Sequence, residues 1–310
     1  MEISINNKLL HLIRSAPPGQ GADISAVSGL TMDEIATCVS ELQACGYQFN
    51  GPAQALRLVH EPDIPYPWEF SHREDSIHYL KETDSTMIVA REKGDGGAPH
   101  FSVVIADIQG KGRGRLERHW ISSEGGLYFT IVLRPALPPD KVFQINFLAS
   151  LVLVRVMNRL FDVNARVKWP NDILIHEKKV CGMISEMAMK NNRIDYISLG
   201  IGINVNNRPE IEEPNACSLK AVLGRPVSRC LVLKTFLDDF EHALTRERDT
   251  MSLIREWKEE AITLGRQVKV VTINDVHHGR AVDVDADGAL VLETADGKRV
   301  RVIYGDCFLN

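Results

Sequence analysis

Residues 110–120 read GKGRGRLERHW: three glycines and the cations Lys111, Arg113, Arg115 and Arg118 in a stretch with almost no apolar content. Glycines let a backbone reach positive φ and turn successive N–H groups toward one point, and arginine forks add fixed charge with two-point geometry toward carboxylate or phosphate. The chemistry open to such a loop is holding an anion: a phosphate-bearing nucleotide, a small carboxylate, or an ester joining the two. Taken alone, the same composition also describes a solvated basic surface. The loop is not a P-loop, because Lys111 runs into Gly112 and Arg113 where the Walker pattern needs Ser or Thr opening a helix. A second glycine pair, GIGIN at 200–204, follows an apolar strand pattern but leads to Asn206, Asn207, Arg208 and Pro209, so no helix begins where a dinucleotide pyrophosphate needs one.

Other chemistries find no support. The six cysteines, at 38, 45, 181, 217, 230 and 307, show no CxxC or Cys/His spacing for zinc and are expected to be reduced. The HE pairs at His60 and His176 lack a second histidine, and no GxSxG elbow occurs. With 310 residues, 44% of them hydrophobic, the chain can bury a large core over two or three domains. The central apolar run at 147–154 is too short to span a bilayer and residues 1–7 are mostly polar, so a soluble, cytoplasmic protein is expected.

The elements that must position the loop can be read in order. Residues 1–62 suggest a small helical unit: a periodic helix around 8–14, a Pro-Pro-Gly turn, a stretch at 23–28, a break at Gly29, and a helix from Thr31 to Cys45 stopped by Gly46. Thr31 and Glu34 form a capping box. Strand candidates at 47–49 and 56–59 complete a plausible winged helix-turn-helix. Residues 1–65 nevertheless carry three Lys/Arg against seven Asp/Glu, a net −4 out of −5 for the whole chain, and the second helix has no cation. Duplex DNA binding draws on phosphate neutralisation, so operator binding is disfavoured.

Residues 61–70 (EPDIPYPWEF) read as a stiff linker. Beyond them come strands at 77–80, 102–106, 127–133, 166–169, 173–175, 180–187 and 195–203, a two-turn helix capped by Asp84 and Ser85, a long helix opened by Pro138, Pro139 and Asp140 and ending near Leu160, and a helix over 232–259. From Gly265 the pattern becomes short strands at 268–272, 279–284, 289–293 and 298–303 with Asp-Gly turns at 287–288 and 296–297, a small SH3-like barrel.

Five segments in this order, ETDSTM at 82–87, GKGRGRLERHW at 110–120, EGGLYFT at 124–130, VKWPNDILI with KKVCGMISE across 167–186, and GIGINVN at 200–206, resemble the biotin protein ligases of the larger class with an N-terminal winged helix. The resemblance implies an α+β fold: a winged helix-turn-helix (1–65), a central mixed-sheet α/β catalytic domain of the biotin/lipoate ligase, class II synthetase-like type (66–262) and an SH3-like C-terminal barrel (263–310). It implies a two-step reaction with ATP, Mg²⁺ and biotin: the biotin carboxylate attacks the α-phosphate of ATP, and a lysine of a biotin carboxyl carrier protein then takes the acyl group. It also leaves open a monomer or a homodimer and an additional repressor role.

By the same resemblance, Arg113, Gly114 and Arg115 belong to a loop closing on biotin and the adenylate, with Gly112 and Arg118 beside them. Gln109, Ser85 and Thr86 hydrogen-bond the biotin head group, with Met87 in the pocket. Lys179 contacts the reacting carboxyl, with Gly182 and Asn204 nearby. Trp120 packs beside adenine or braces the loop, and Lys168, Asn171 and Asp172 lie near the phosphates and a magnesium ion that has no dedicated protein cage. Lys179, Arg115 and Lys168 carry the chemistry in this reading. Each residue also has a plainer role open to it: Trp120 and Trp169 as core aromatics, Lys168 and Lys179 as surface lysines, Ser85 as a cap, Gly200 and Gly202 as packing glycines. The chain departs from the family pattern at Met87, where asparagine is usual, at Leu116 and Glu117, where arginine and glycine are common, and at Leu309–Asn310, which lack a basic tail. Two other functions stay in view, a biotin-sensing repressor and a lipoate or other acyl ligase.

Overall fold

The computed structural model describes residues 4–17, 21–24, 31–116, 118–246 and 249–309. Contacts divide the chain into two compact units, Met1–Tyr79 and Leu80–Asn310.

In the first unit, α1 (Ile5–Ser15) begins at Ser4, whose hydroxyl accepts from the Asn7 N–H, and α2 (Met32–Ala44) begins at the Thr31–Glu34 capping box. The Thr31 and Glu34 N–H groups at the start of α2 are thereby satisfied. Leu9, Leu10 and Ile13 of α1 and Ile35, Cys38 and Leu42 of α2 meet in one core with Tyr47 and Leu56. The strands β1 (Gln48–Asn50) and β2 (Arg57–His60) form an antiparallel hairpin in which Phe49 stands opposite Leu58. The stretch expected over 23–28 lies mostly outside the described residues; Ile24 bonds through its N–H to the Ala53 carbonyl.

The segment expected to be a linker is built into this unit. Trp68 stacks on Tyr66 at 4.7 Å, the Trp68 carbonyl accepts from Asn7, and buried Glu69 takes the Tyr47 hydroxyl at 2.6 Å and pairs with Arg14 at 2.8 Å. Tyr66 and Trp68, on either side of Pro67, pack against the core of this unit, and that burial outweighs the stiffness of the prolines. Burial, with the Glu69 carboxylate alongside, drives the Tyr47 hydroxyl pKa upward.

The second unit is α+β. Its central sheet has the order β3 (Ile77–Thr83), β4 (Ser102–Gln109), β5 (Leu127–Leu133), β9 (Arg193–Ile203), β8 (Lys178–Lys190), β7 (Asp172–Ile175), β6 (Arg166–Lys168). Neighbours from β4 through β6 run antiparallel, and two parallel bridges, Val167 with Ala261 and Lys179 with Ala216, make the pairing mixed. Strand β5 shows how the sheet separates its faces. Phe129 packs on Phe236 of α6 (Arg229–Thr245), 5.8 Å between rings, whereas the next residue, Thr130, points to the opposite side and bonds Thr86 at the start of α3 (Thr86–Asp95). Helix α4 (Phe143–Phe161) locks to α7 (Thr250–Glu259) through Phe147 stacked on Trp257 at 4.5 Å, with the Trp257 indole N–H bonded to Ser150. The short α5 (Leu219–Leu223) connects β9 to α6.

Two expectations are corrected. The single helix over 232–259 is two, because Asp249 is an N-cap whose carboxylate accepts from the Ser252 N–H and starts a new helix. The four C-terminal strands expected are five. After β10 (Gln267–Val271), β11 (Val276–Val284), β12 (Leu290–Glu293) and β13 (Arg299–Val302), the last residues form β14 (Asp306–Leu309), which pairs antiparallel with β10. Four residues beginning with Asp306 show no clear alternation, so only the ladder reveals the strand. The Asp-Gly turns are as expected, with Gly288 at φ +77° and Gly297 at φ +78°.

Candidate functional site

A cavity of about 650 Å³ opens on the α3 face of the central sheet and is bounded on another side by β14. Its wall brings together Ser85, Thr86, Met87, Gln109, Arg113, Gly114, Arg115, Arg118, Trp120, Lys168, Asn171, Asp172, Lys179, Gly182 and Asn204. Of the residues singled out in the sequence, Gly112 stands outside this wall. Its role is in the backbone: its carbonyl accepts from the Trp120 N–H at 2.9 Å, and a Cβ there would fall 2.3 Å from the Trp120 carbonyl oxygen.

A chain of side-chain hydrogen bonds ties the mouth of α3 to the loop. Thr130 donates to Thr86 (2.9 Å), the Thr86 hydroxyl and N–H both donate to the Gln109 amide oxygen (3.0 and 2.8 Å), the Gln109 NH₂ donates to Ser122 (2.8 Å), and Ser122 donates to the Trp120 carbonyl (3.0 Å). Ser85 caps α3 by accepting from the Met87 N–H and keeps its own O–H to donate. Sequence reasoning missed Thr130 and Ser122. Thr130 had a signal, since it is the one polar residue in the apolar strand LYFTIVL and is fully buried.

The floor is made by glycines. Gly182 of β8 pairs directly with Gly202 of β9, and the Trp120 indole lies across both. A Cβ at Gly182 would come 2.9 Å from the indole and one at Gly202 2.4 Å from its Nε1. Gly200, two residues earlier on the same strand, makes room for the Met87 sulfur in the same way. Trp120 is thus a roof over paired glycines, and its buried Nε1–H has no hydrogen-bond acceptor among the described residues. Trp169 is a core aromatic, its indole N–H bonded to the Gly288 carbonyl at 3.0 Å. Asn204 is buried and accepts from Asn207 at 2.9 Å, so it braces the end of β9.

Charge is distributed unevenly over the loop. Lys111 pairs with Asp84 (2.8 Å), Arg113 with Glu186 (2.8 Å) and Arg118 with Asp306 (2.6 Å). Arg115 has only neutral partners among the described residues, the Asn171 side-chain oxygen at 3.3 Å and the Gly305 carbonyl at 3.2 Å. Burial lowers the pKa of its guanidinium despite the more distant charges of Asp306 and Asp172, the behaviour of a cation short of an anion. On the same wall, the largely buried Asp172, its side chain 14% exposed, lies between Lys179 (2.7 Å) and Lys168 (3.5 Å). Burial raises the Asp172 carboxyl, but the charges and hydrogen bonds of the two lysines outweigh it and hold the group below the usual carboxylate range. The Lys179 ammonium also sits 5.2 Å from the centre of the Trp120 ring. Leu116, at the loop tip, takes a left-handed φ of +52°; Glu117 lies outside the described residues.

One carboxylate and one amide oxygen are hard-oxygen groups suited to a magnesium ion that arrives on nucleotide phosphates. No group of three His, Cys, Asp or Glu able to hold a metal occurs among the described residues.

Comparisons with known proteins place the chain in a class. The model of the Biotin/lipoate A/B protein ligase family matches residues 80–204, and that of the Biotin protein ligase C terminal domain matches residues 263–310. The chain is 31% identical over 302 residues to the "Bifunctional ligase/repressor BirA" of Bacillus subtilis, covering 92% of this chain and 91% of that protein. It is 31% identical to the "Biotin--[acetyl-CoA-carboxylase] ligase" of Paracoccus denitrificans, covering 71% of this chain and 95% of that one. Among solved structures, the biotin protein ligase of Aquifex aeolicus in complex with biotin and ATP superposes with a TM-score of 0.64 at 29% identity, covering 76% of this chain and 98% of that chain. The protein described here belongs to the biotin protein ligase family.

Proposed function

We propose that the protein is an ATP-dependent, AMP-forming ligase that activates biotin and passes it to a lysine of a biotin carboxyl carrier protein, as part of acetyl-CoA carboxylase or another biotin-dependent carboxylase. The observation that carries this reading is Arg115, a half-buried cation with no carboxylate in direct contact among the described residues, facing the same cavity as Lys168 and Lys179. Three cations around one carboxylate leave the wall with an excess positive charge that a carboxylate and a phosphate would neutralise.

In the first step a biotin carboxylate oxygen attacks the α-phosphorus of ATP, the bond to the bridging oxygen breaks, and pyrophosphate leaves. Lys179 steadies the attacking carboxylate and the charge building on the phosphoryl oxygens, with Asp172 fixing its ammonium beforehand. Lys168, Asn171 and Asp172 face the phosphates and the magnesium they carry. Arg115, with Arg113 and Gly114, covers the adenylate and keeps water from its anhydride bond. In the second step the carrier amine attacks the acyl carbon, the acyl–oxygen bond breaks, AMP departs and the amine loses its proton. Thr86 and Gln109, already linked to each other, present the head-group contacts with Ser85, and Met87 contributes apolar surface.

The two helices and the β1/β2 hairpin support reading the first unit as a winged helix-turn-helix, and the five-stranded antiparallel C-terminal sheet as an SH3-like barrel. Exposed Asp33, Glu34 and Glu41 on α2 set the first unit against phosphate, so ligation is the main role and any repressor role is secondary. No helix among the described residues is long and apolar enough to cross a membrane, which fits work in the cytoplasm. The test is biotin-dependent exchange of pyrophosphate into ATP, run with lipoate as the competitor. Exchange with biotin alone is expected; exchange with lipoate alone would move the chain to another acyl substrate.

A further inference from the structure

The basic loop is held from two sides. Arg113 binds Glu186 of β8, within the sheet that forms the cavity floor. The other side belongs to the C-terminal sheet: Arg118 pairs with Asp306 at 2.6 Å, and Arg115 donates to the Gly305 carbonyl at 3.2 Å. Asp306 is largely buried, its side chain 17% exposed, whereas the Arg118 side chain is 58% exposed. The carboxylate is therefore the fixed partner and the loop the movable one. Gly305 is itself specialised. It sits at φ +146°, and a Cβ there would come 2.8 Å from Val270 and 2.9 Å from the Val271 carbonyl, so only glycine lets the chain turn here with that carbonyl free to meet Arg115.

We infer that Gly305 and Asp306 form a latch by which the C-terminal sheet holds the basic loop over the cavity, and that Asp306 is a positioning residue for the ligase reaction acting through Arg118. The inference rests on the proposed ligase function only in its consequence for the adenylate; the latch itself is a statement about two ion-paired segments. A latch in which the loop side is exposed is weak and screened by salt, so it can release once per turnover when the carrier lysine must enter. The sequence places Arg118 and Asp306 188 residues apart, and the site residues proposed from the loop alone include neither Gly305 nor Asp306.

The experiment uses the full chain without ligand and Asp306→Asn, Arg118→Gln and the double variant. Tryptic nicking after Lys111, Arg113 and Arg115, mapped by mass spectrometry, reads loop opening with no reference to activity. Either single variant is expected to be nicked about two- to fivefold faster than the wild type at low salt, and the double variant no faster than the singles, because both remove one shared contact. The difference should vanish near 1 M salt. The dissociation rate of biotinyl-adenylate, followed by tryptophan fluorescence, is expected to rise in parallel, while the melting temperatures stay together. Equal nicking rates in wild type and both single variants would overturn the latch, as would additive effects in the double variant. If the wild type forms no adenylate, the ligase reading fails while the proteolysis still decides the latch.

Discussion

Gly182 stands directly opposite Gly202 across the β8/β9 ladder, and the Trp120 indole occupies the space that two side chains would otherwise take. This places an aromatic face at the bottom of a cationic cavity, with the Lys179 ammonium on one side of it and a buried indole N–H that meets no acceptor among the described residues.

Gly202→Ala is expected to push Trp120 off the floor, since a methyl there would lie 2.4 Å from the indole Nε1. Overpacking of this kind costs about 1–3 kcal/mol. The melting temperature should fall, Trp120 emission should shift to the red, and ligand affinity should drop; unchanged emission would show that the indole lies elsewhere.

Arg115→Ala should leave folding intact and weaken retention of the adenylate. Loss of a charge-assisted contact to a carboxylate or phosphate is worth about 1.5–3 kcal/mol, roughly a tenfold to hundredfold faster dissociation. Stopped-flow fluorescence of the preformed complex measures this, and a wild-type rate would remove Arg115 from the site.

Lys179→Ala is expected to slow adenylate formation by about 10²–10³-fold, as does removal of a group that stabilises transition-state charge. It also leaves the largely buried Asp172 with Lys168 alone at 3.5 Å. Single-turnover release of pyrophosphate separates this loss from any change in biotin binding.

The pH dependence of stability follows from Asp172. Its folded pKa is depressed, so its contribution is fully present above the unfolded carboxylate value of about 3.9 and is lost as pH falls through the lower folded value. Melting curves of wild type and Asp172→Asn from pH 7 downward should converge in that acid window. Curves that stay parallel throughout would refute the pairing.

Thr130→Val should cost about 1 kcal/mol, because the Thr86 hydroxyl loses its donor in a buried chain. Biotin affinity measured by calorimetry should fall more than stability does, since Thr86 orients Gln109.

Much of the fold was readable from local signals. The Thr31–Glu34 capping box, the apolar strand over residues 127–133 and the two Asp-Gly turns each depend on neighbours within a few residues, and each stands where the pattern places it. The failures share a cause. The prolines of 61–70 point to a linker although its aromatics and Glu69 find partners up to 61 residues away, Asp249 caps a helix inside a continuous helical pattern, and β14 is defined by its ladder to β10. Residue types in short motifs name part of the cavity wall, but not Asp306 or the other β14 residues that also line it, nor Thr130, Ser122 and Glu186, which make contacts that hold it.

The amino-acid sequence by itself determined the chemistry on offer: a glycine-rich cationic loop, a carboxylate and lysines around 168–179, and glycines on the strand that follows. These are properties of residue type and spacing, which survive without knowing the fold. Only the tertiary structure decided how charge is shared among them. Arg113 and Arg118 meet carboxylates while Arg115 meets neutral oxygens, and Asp172 falls between two lysines, because strands and loops distant in the chain are brought within hydrogen-bond reach by sheet register. Electrostatic interactions depend on distance and burial, quantities that no spacing along a chain contains.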